Sequence, residues 1–237
     1  MLRSEIIYGE FMQKIIYEDD KLIAIHKRAG FATQTAKLGE KDVVTDTLSY
    51  VKKKYKSTAP HVGLINRLDQ PVEGIVLLGL DKNATASLTS QLQSGGINKH
   101  YFAAVCGVPK VQQGLIADYM VKDTANNISR ICECDEEGAQ KALLEYKCIK
   151  TVNDEISLLD IHLITGRHHQ IRLQLSAAGM PLLGDKKYAS EEAFKVSDRL
   201  NIRNVALCAY SLSFEHPVTG ERLELSVTPQ GEWYKLF

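Results

Sequence analysis

The chain has 237 residues and a mass of 26.4 kDa, with 44% hydrophobic and 24% charged positions, which is enough apolar content to bury one substantial core. Lysine plus arginine equals aspartate plus glutamate at 29 each, so no net field draws the chain to a polyanion, and any nucleic acid must be met by a local basic patch. The longest apolar stretches, Ile75 to Leu80 and Tyr101 to Val108, fall far short of the roughly 18 residues of a membrane-spanning helix.

The opening fourteen residues mix Glu5 and Glu10 among apolar side chains and have neither a basic start with an apolar block nor a small-residue cleavage site, which argues against export. Cys106, Cys132, Cys134, Cys148 and Cys208 make an odd number in a chain large enough not to need staples. Free thiols in a reducing, cytoplasmic compartment are the expectation. Cys132 and Cys134 stand two apart with no second Cys/His pair at zinc spacing, so strand alternation is the simpler reading and no metal is expected there.

In chain order, Lys21 to Lys27 reads as a strand ended at Gly30. Val44, Leu48, Val51 and Tyr55 then recur at helical spacing behind Asp42. The basic run Lys52 to Lys56 reads either as the solvated end of that helix or as a nucleic-acid contact. Gly63 to Leu68 and Gly74 to Leu80 are short and rich in Ile, Val and Leu, predicting buried strands on either side of a tight polar connection, Asp69 to Glu73. Ala84, Leu88 and Leu92 mark a helix stopped by Gly95 and Gly96, and Lys99 to Cys106 reads as a strand.

Four more strands are expected near Ile116 to Val121, Ile128 to Cys134, Ala142 to Ile149 and Ile156 to Ile164. After Thr165-Gly166-Arg167, the positions Ile171, Leu175 and Ala178 fit one helical face, closed by Gly179 with Pro181 beyond. Runs of strands broken by a few helices predict an α+β fold: a mixed, largely antiparallel central sheet flanked by helices, in a single domain spanning residues 1–237.

Two segments could carry chemistry. Asp69 stands at a strand end, where a carboxylate can serve as nucleophile, base or turn-former, and position alone favours the turn. Arg167, His169 and Arg172 gather at the start of the helix after Thr165, an arrangement suited to a phosphate or to a partner carboxylate. The adjacent pair His168-His169 invites a metal, but neighbours on a helix point about 100° apart, which argues against one.

Taken together, NRLDQPVEGIVLL from Asn66, KHYFAAVCG from Lys99, TGRHHQIRLQLSAAGMPLLGDKKY from Thr165 and FEHPVTGERLELSVTP from Phe214 resemble, in the same order, the RluA-type pseudouridine synthase family. IHKRAGFATQ from Ile25 resembles that family's opening strand and glycine turn, so the resemblance spans roughly Lys21 to Pro229. It implies the pseudouridine synthase-like catalytic fold. It also implies an enzyme that detaches uracil from its ribose in ribosomal RNA or tRNA, rotates it and rejoins it through carbon, with no metal or organic cofactor.

By position, the resemblance makes Asp69 the essential aspartate, Tyr101 the active-site tyrosine, Arg172 the basic partner of the aspartate, and Arg67 the side chain that fills the space left by the flipped nucleotide. Asn66, Arg167 and His169 join Arg67 as substrate-binding candidates. An ordinary aspartate titrates near about 3.9; burial raises that value and a bidentate arginine lowers it, so such a pair keeps a charged group usable in a dry site. Stacking of uracil on a tyrosine, typically worth about 1–3 kcal/mol, helps offset the few kcal/mol that extracting a nucleotide costs.

Asn66 stands where the family most often has His, and Val72-Glu73 where it has Thr-Ser. Asn66 can still hold the loop by hydrogen bonds, whereas Glu73 would repel Asp69 and RNA if it faced the pocket, so it is expected to point outward or to meet a cation. No N-terminal S4-type RNA-binding module is recognisable. The neutral balance predicts a compact stem-loop as partner, with few phosphate contacts, and a monomer is expected. Two alternatives stay open: an inactive RNA-binding protein on the same fold, and an N-glycosidic hydrolase, for which no water-activating group is evident.

Overall fold

A computed structural model describes residues 13–35, 40–56 and 58–237. The export reading falls mostly on residues outside these. Among the described residues, no helix is long and apolar enough to cross a membrane.

One sheet of eleven strands organises the described residues. In chain order the strands are β1 (Lys14–Glu18), β2 (Leu22–Lys27), β3 (Gly63–Leu64), β4 (Glu73–Gly79), β5 (Asn98–Cys106), β6 (Gln113–Asp123), β7 (Ile128–Cys132), β8 (Gln140–Val152), β9 (Ile156–Leu163), β10 (Leu207–Glu215) and β11 (Arg222–Ser226). They lie side by side as β1-β2-β4-β10-β5-β9-β8-β6-β7, with β3 on β4 and β11 on β10. Only the short β4/β10 pairing is parallel; the mixed, largely antiparallel sheet expected from the sequence is what forms. Gly74 makes the close β4/β10 approach possible: its φ is +129°, and a Cβ there would meet the Ala209 backbone nitrogen at 2.4 Å.

Among the described residues, four α-helices cover the sheet. Asp42 caps α1 (Val43–Lys54) by accepting from Thr45 N at 2.7 Å while Thr45 Oγ1 accepts from Asp42 N, a reciprocal capping box. Asp81 caps α2 (Lys82–Ser94), and left-handed Gly95 ends it, as the glycine pair predicts. Val43, Tyr50 and Val51 of α1 and Ile171 and Leu175 of α3 (Gln170–Ala177) share a core with Val76, Tyr101, Ala103 and Leu207 on one face of the sheet. Leu88 of α2, and Ala193 and Val196 of α4 (Glu191–Arg199), pack into two further cores on the opposite face.

Several expectations need correction. The strand expected over Gly63 to Leu68 stops at Leu64: Ile65 N still donates to Leu77 O, and beyond it the Asn66 side chain takes over the pairing with β4. β6 is longer than expected and β7 shorter. β1, α4, β10 and β11 were not anticipated from periodicity. α4 carries few apolar residues, and what holds its start is Ser190 accepting from Ala193 N. Lys52 and Lys53 are exposed at the end of α1, while Lys54 is paired with Glu18 at 2.6 Å, which favours the solvated-face reading of the basic run.

Candidate active site

The Asp69 connection is a clamped loop. Asn66 Nδ2 donates to Ile75 O at 3.0 Å and its Oδ1 accepts from Leu77 N at 2.8 Å, so a side-chain amide stands in for a strand's backbone. Thr33 Oγ1 donates to Leu68 O and accepts from Leu68 N. Lys27 is fully buried, and its ammonium donates to the carbonyls of Arg28, Phe31 and Gln70 at 3.2, 2.7 and 3.1 Å, three acceptors for three donors. Burial pushes this amine down to about 7, against the pull of Asp69 and Glu73. Val72 N closes the turn on the Asp69 carbonyl at 3.0 Å, so the Asp69 carboxylate is free of turn-forming duty.

That carboxylate meets α3. Arg172 Nη1 donates to Asp69 Oδ2 at 2.9 Å, while its Nε and Nη2 grip Asp185 at 2.7 and 2.8 Å. The bidentate partner expected at Asp69 is therefore Asp185. Arg172 and Asp185 are 4% and 1% exposed at the side chain, and Asp69 27%, so the inner pair is dry and Asp69 is the member that reaches solvent. Burial works against charge on Asp185, but the hydrogen bonds and charge of Arg172 outweigh it and hold the carboxyl below its usual range. Burial likewise opposes the Arg172 charge, and the two carboxylates more than restore it.

His169 lies at the N-cap of α3 in a left-handed conformation, φ 56°, rather than inside the first turn. Its Nε2 is 3.5 Å from Asp69 Oδ2, and its Nδ1 is 2.9 Å from the Tyr188 hydroxyl. That hydroxyl accepts from Ser129 N at 2.7 Å and keeps one proton that it can donate to His169 Nδ1, the arrangement that would put the imidazole proton on Nε2, facing Asp69. Burial pushes His169 down to about 4, against the pull of Asp69, so it is neutral at physiological pH. The left-handed residue also brings His168 and His169 into a ring stack at 3.8 Å, contrary to the helical divergence expected, but the His168 nitrogens go to Ser129 and Asn127.

A cleft of about 270 Å³ opens above these groups. All seven candidates from the sequence line it: Asn66, Arg67, Asp69, Tyr101, Arg167, His169 and Arg172. Tyr101 projects from β5 and is 6% exposed; burial first, then the Asp69 charge, raises its phenol above the ordinary value, so it stays protonated. Arg67 is exposed at the rim, and Arg167 is exposed with its Nε on Lys141 O at 3.0 Å. Asn66 lines the cleft while one N–H and the oxygen of its amide pair with β4, so it holds the loop as its hydrogen-bonding capacity leads one to expect. Glu73 turns away from the cleft altogether, buried where its carboxylate accepts from Gln230 N and Gly231 N.

Three groups escaped the sequence reading. Asp185 and Tyr188 lie within the stretch from Thr165 that carries the resemblance but are given no role there; an Asp and a Tyr three apart behind Gly184 are the signal that could have singled them out. Lys99, 8% exposed, lines the cleft from β5, and burial and the Arg167 charge lower its pKa.

A family model described as RNA pseudouridylate synthase matches residues 21–177. The chain is 33% identical over 215 residues to the dual-specificity RNA pseudouridine synthase RluA of Pasteurella multocida, covering 91% of this chain and 92% of that protein. It is 31% identical over 210 residues to the RluA of Escherichia coli, covering 88% and 90%. Against the ribosomal large subunit pseudouridine synthase C of Rickettsia prowazekii the identity is 30%, and the match covers 89% of this chain but 66% of that protein. Among solved structures, human RNA Pseudouridylate Synthase Domain Containing 4 superposes with a TM-score of 0.77 at 22% identity, covering 94% of this chain and 90% of that one.

Proposed function

The chain belongs to the RNA pseudouridylate synthase family, and from that premise we propose that it isomerises specific uridines in a ribosomal RNA or tRNA stem-loop, with Asp69 as the catalytic carboxylate. The observation that carries this reading is the Asp69–Arg172 pair at 2.9 Å, at the floor of a cleft walled by Tyr101.

In the isomerisation the N1–C1′ bond breaks, the freed uracil turns, C5 bonds to C1′, the C5 proton leaves and N1 ends protonated. Asp69 assists as nucleophile or base. Arg172 keeps it aimed, and Asp185 fixes Arg172. Tyr101 stacks on the uracil and brings a hydroxyl to its ring. Arg67 at the rim occupies the vacated stack, while Arg167 and Lys99 face the backbone phosphates. The apolar wall of Leu163, Ile171 and Leu207 keeps water from the separated base and sugar.

The departures at Asn66 and Glu73 do not disturb this arrangement, since one pairs with β4 and the other faces the opposite side of the sheet. The chain is read as one catalytic unit acting as a monomer. Five free thiols are in keeping with a cytoplasmic setting. The test is incubation with RNA from cells lacking the gene, followed by site-resolved mapping. New pseudouridines support the reading, and release of free uracil or an unchanged map refutes it.

A further inference from the structure

Outside the cleft, the described residues hold one cluster able to ligate a metal: His26 on β2, Glu73 at the start of β4 and Cys208 on β10. These strands are neighbours, and Cys208 pairs directly with Glu73 in the parallel ladder. Alternation along each strand turns the trio away from the cleft, because the preceding residues Ile25, Val72 and Leu207 all belong to the core on the cleft side. One ligand atom from each lies within 4.8 Å of the others, and the three residues are 2%, 2% and 0% exposed.

We propose that His26, Glu73 and Cys208 bind one divalent ion of the zinc class, a structural ion on the opposite face of the sheet from the reaction. His26 Nε2 is a buried nitrogen with no hydrogen-bond partner, and it sits 3.6 Å from Glu73 Oε2. That gap is too long for a hydrogen bond. It is close to the ~3.3 Å that separates two ligand atoms each about 2.0–2.1 Å from a tetrahedral zinc. Charge gives the second argument: one carboxylate and one thiolate neutralise a divalent cation, so the filled site places no net charge in a dry interior.

Ligand chemistry selects the ion, since thiolate with imidazole suits zinc and cobalt and not magnesium or calcium. As the metal–sulfur bond forms, the Cys208 thiol proton leaves to solvent, and nothing is oxidised or reduced. Three side chains leave one coordination position to an oxygen from solvent or main chain. Glu73 already accepts the amides of Gln230 and Gly231 at 3.0 Å each, so the ion would fasten the C-terminal segment to the start of β4, four residues beyond Asp69.

The experiment uses the full chain stripped of metal. Zinc at a hundredfold excess over its Kd is expected to raise Tm by about 5–10 °C, reversed by a chelator. Cobalt is expected to bind one to one with a thiolate-to-cobalt absorption band. The band should vanish in Cys208→Ser, weaken at least tenfold in affinity in His26→Ala, and persist when Cys132 and Cys134, the exposed-side pair, are both changed to Ser. A wild-type chain whose Tm ignores zinc and whose cobalt spectrum lacks the band overturns the proposal, leaving only a buried His26–Glu73 contact. A band that survives Cys208→Ser and disappears with Cys132 and Cys134 overturns it equally, and the wild-type measurement holds even if a variant fails to fold.

Discussion

Arg172 holds Asp185 with two hydrogen bonds, at 2.7 and 2.8 Å, and Asp69 with one, at 2.9 Å. The guanidinium is thus anchored to a carboxylate that never leaves the interior and presents its remaining donor to the one that faces the cleft. Asp69 can change partners during a reaction without loosening Arg172.

Asp69→Asn keeps the shape and the neutral hydrogen-bonding capacity of the side chain. The variant is expected to fold with a Tm close to wild type and to form no detectable pseudouridine in a single-turnover tritium-release assay. Substantial activity in that variant would remove Asp69 from the chemistry.

Asp185→Ala strands a buried guanidinium, a change that typically costs about 3–5 kcal/mol. Urea denaturation should register a loss of that size, much larger than for Asp69→Asn. Asp185→Glu, which restores the charge at a shifted position, should recover stability before it recovers kcat.

Tyr101 has two separable contributions. Tyr101→Phe retains the ring, so RNA affinity should stay within about threefold while kcat falls by about 10²-fold, the usual scale of a positioned proton-transfer group. Tyr101→Ala should weaken binding as well, by the ~1–3 kcal/mol of a lost stack, read by filter binding.

The depressed pKa of His169, about 4 against an ordinary 6.5, makes stability pH-dependent. Between those values the unfolded chain binds a proton that the native chain refuses, so this contribution is full above about 6.5 and is lost as pH falls towards 4. Thermal unfolding across that window should show a steeper acid loss for wild type than for His169→Gln, and parallel curves would refute the assignment.

Arg172 is already paired with two carboxylates, which leaves Arg67, Arg167 and Lys99 as the cleft's basic groups for phosphates, so a slope of log K against log salt of about −2 to −3 is expected, shallow for an RNA-binding enzyme. Arg67→Ala should reduce that slope by about one if the side chain meets a phosphate, and should leave it unchanged while lowering activity if it only fills the vacated stack.

Much of this was legible along the chain. Apolar runs of five to eight residues marked β2, β4, β5 and β9, and Asp42, Gly95 and Gly179 marked helix ends, because capping and strand burial act over a few residues. Of the charged side chains that line the cleft, the resemblance and the two local segments named all but Lys99 as candidates. β1, β10, β11 and α4 were not legible from periodicity, since their persistence depends on neighbours supplied from elsewhere in the chain.

The sequence by itself determined which residue types were available and in what order: an aspartate at a strand end, arginines at a helix start, a tyrosine on an alternating strand. Tertiary structure alone decided their partners. Whether Arg172 gives its fork to Asp69 or to Asp185, whether Glu73 faces RNA or the far side of the sheet, and whether Asn66 serves a substrate or a strand depend on which groups share a dry interior. Burial sets those pairings, because a charge or amide removed from water must be satisfied by whatever the fold brings within about 3 Å.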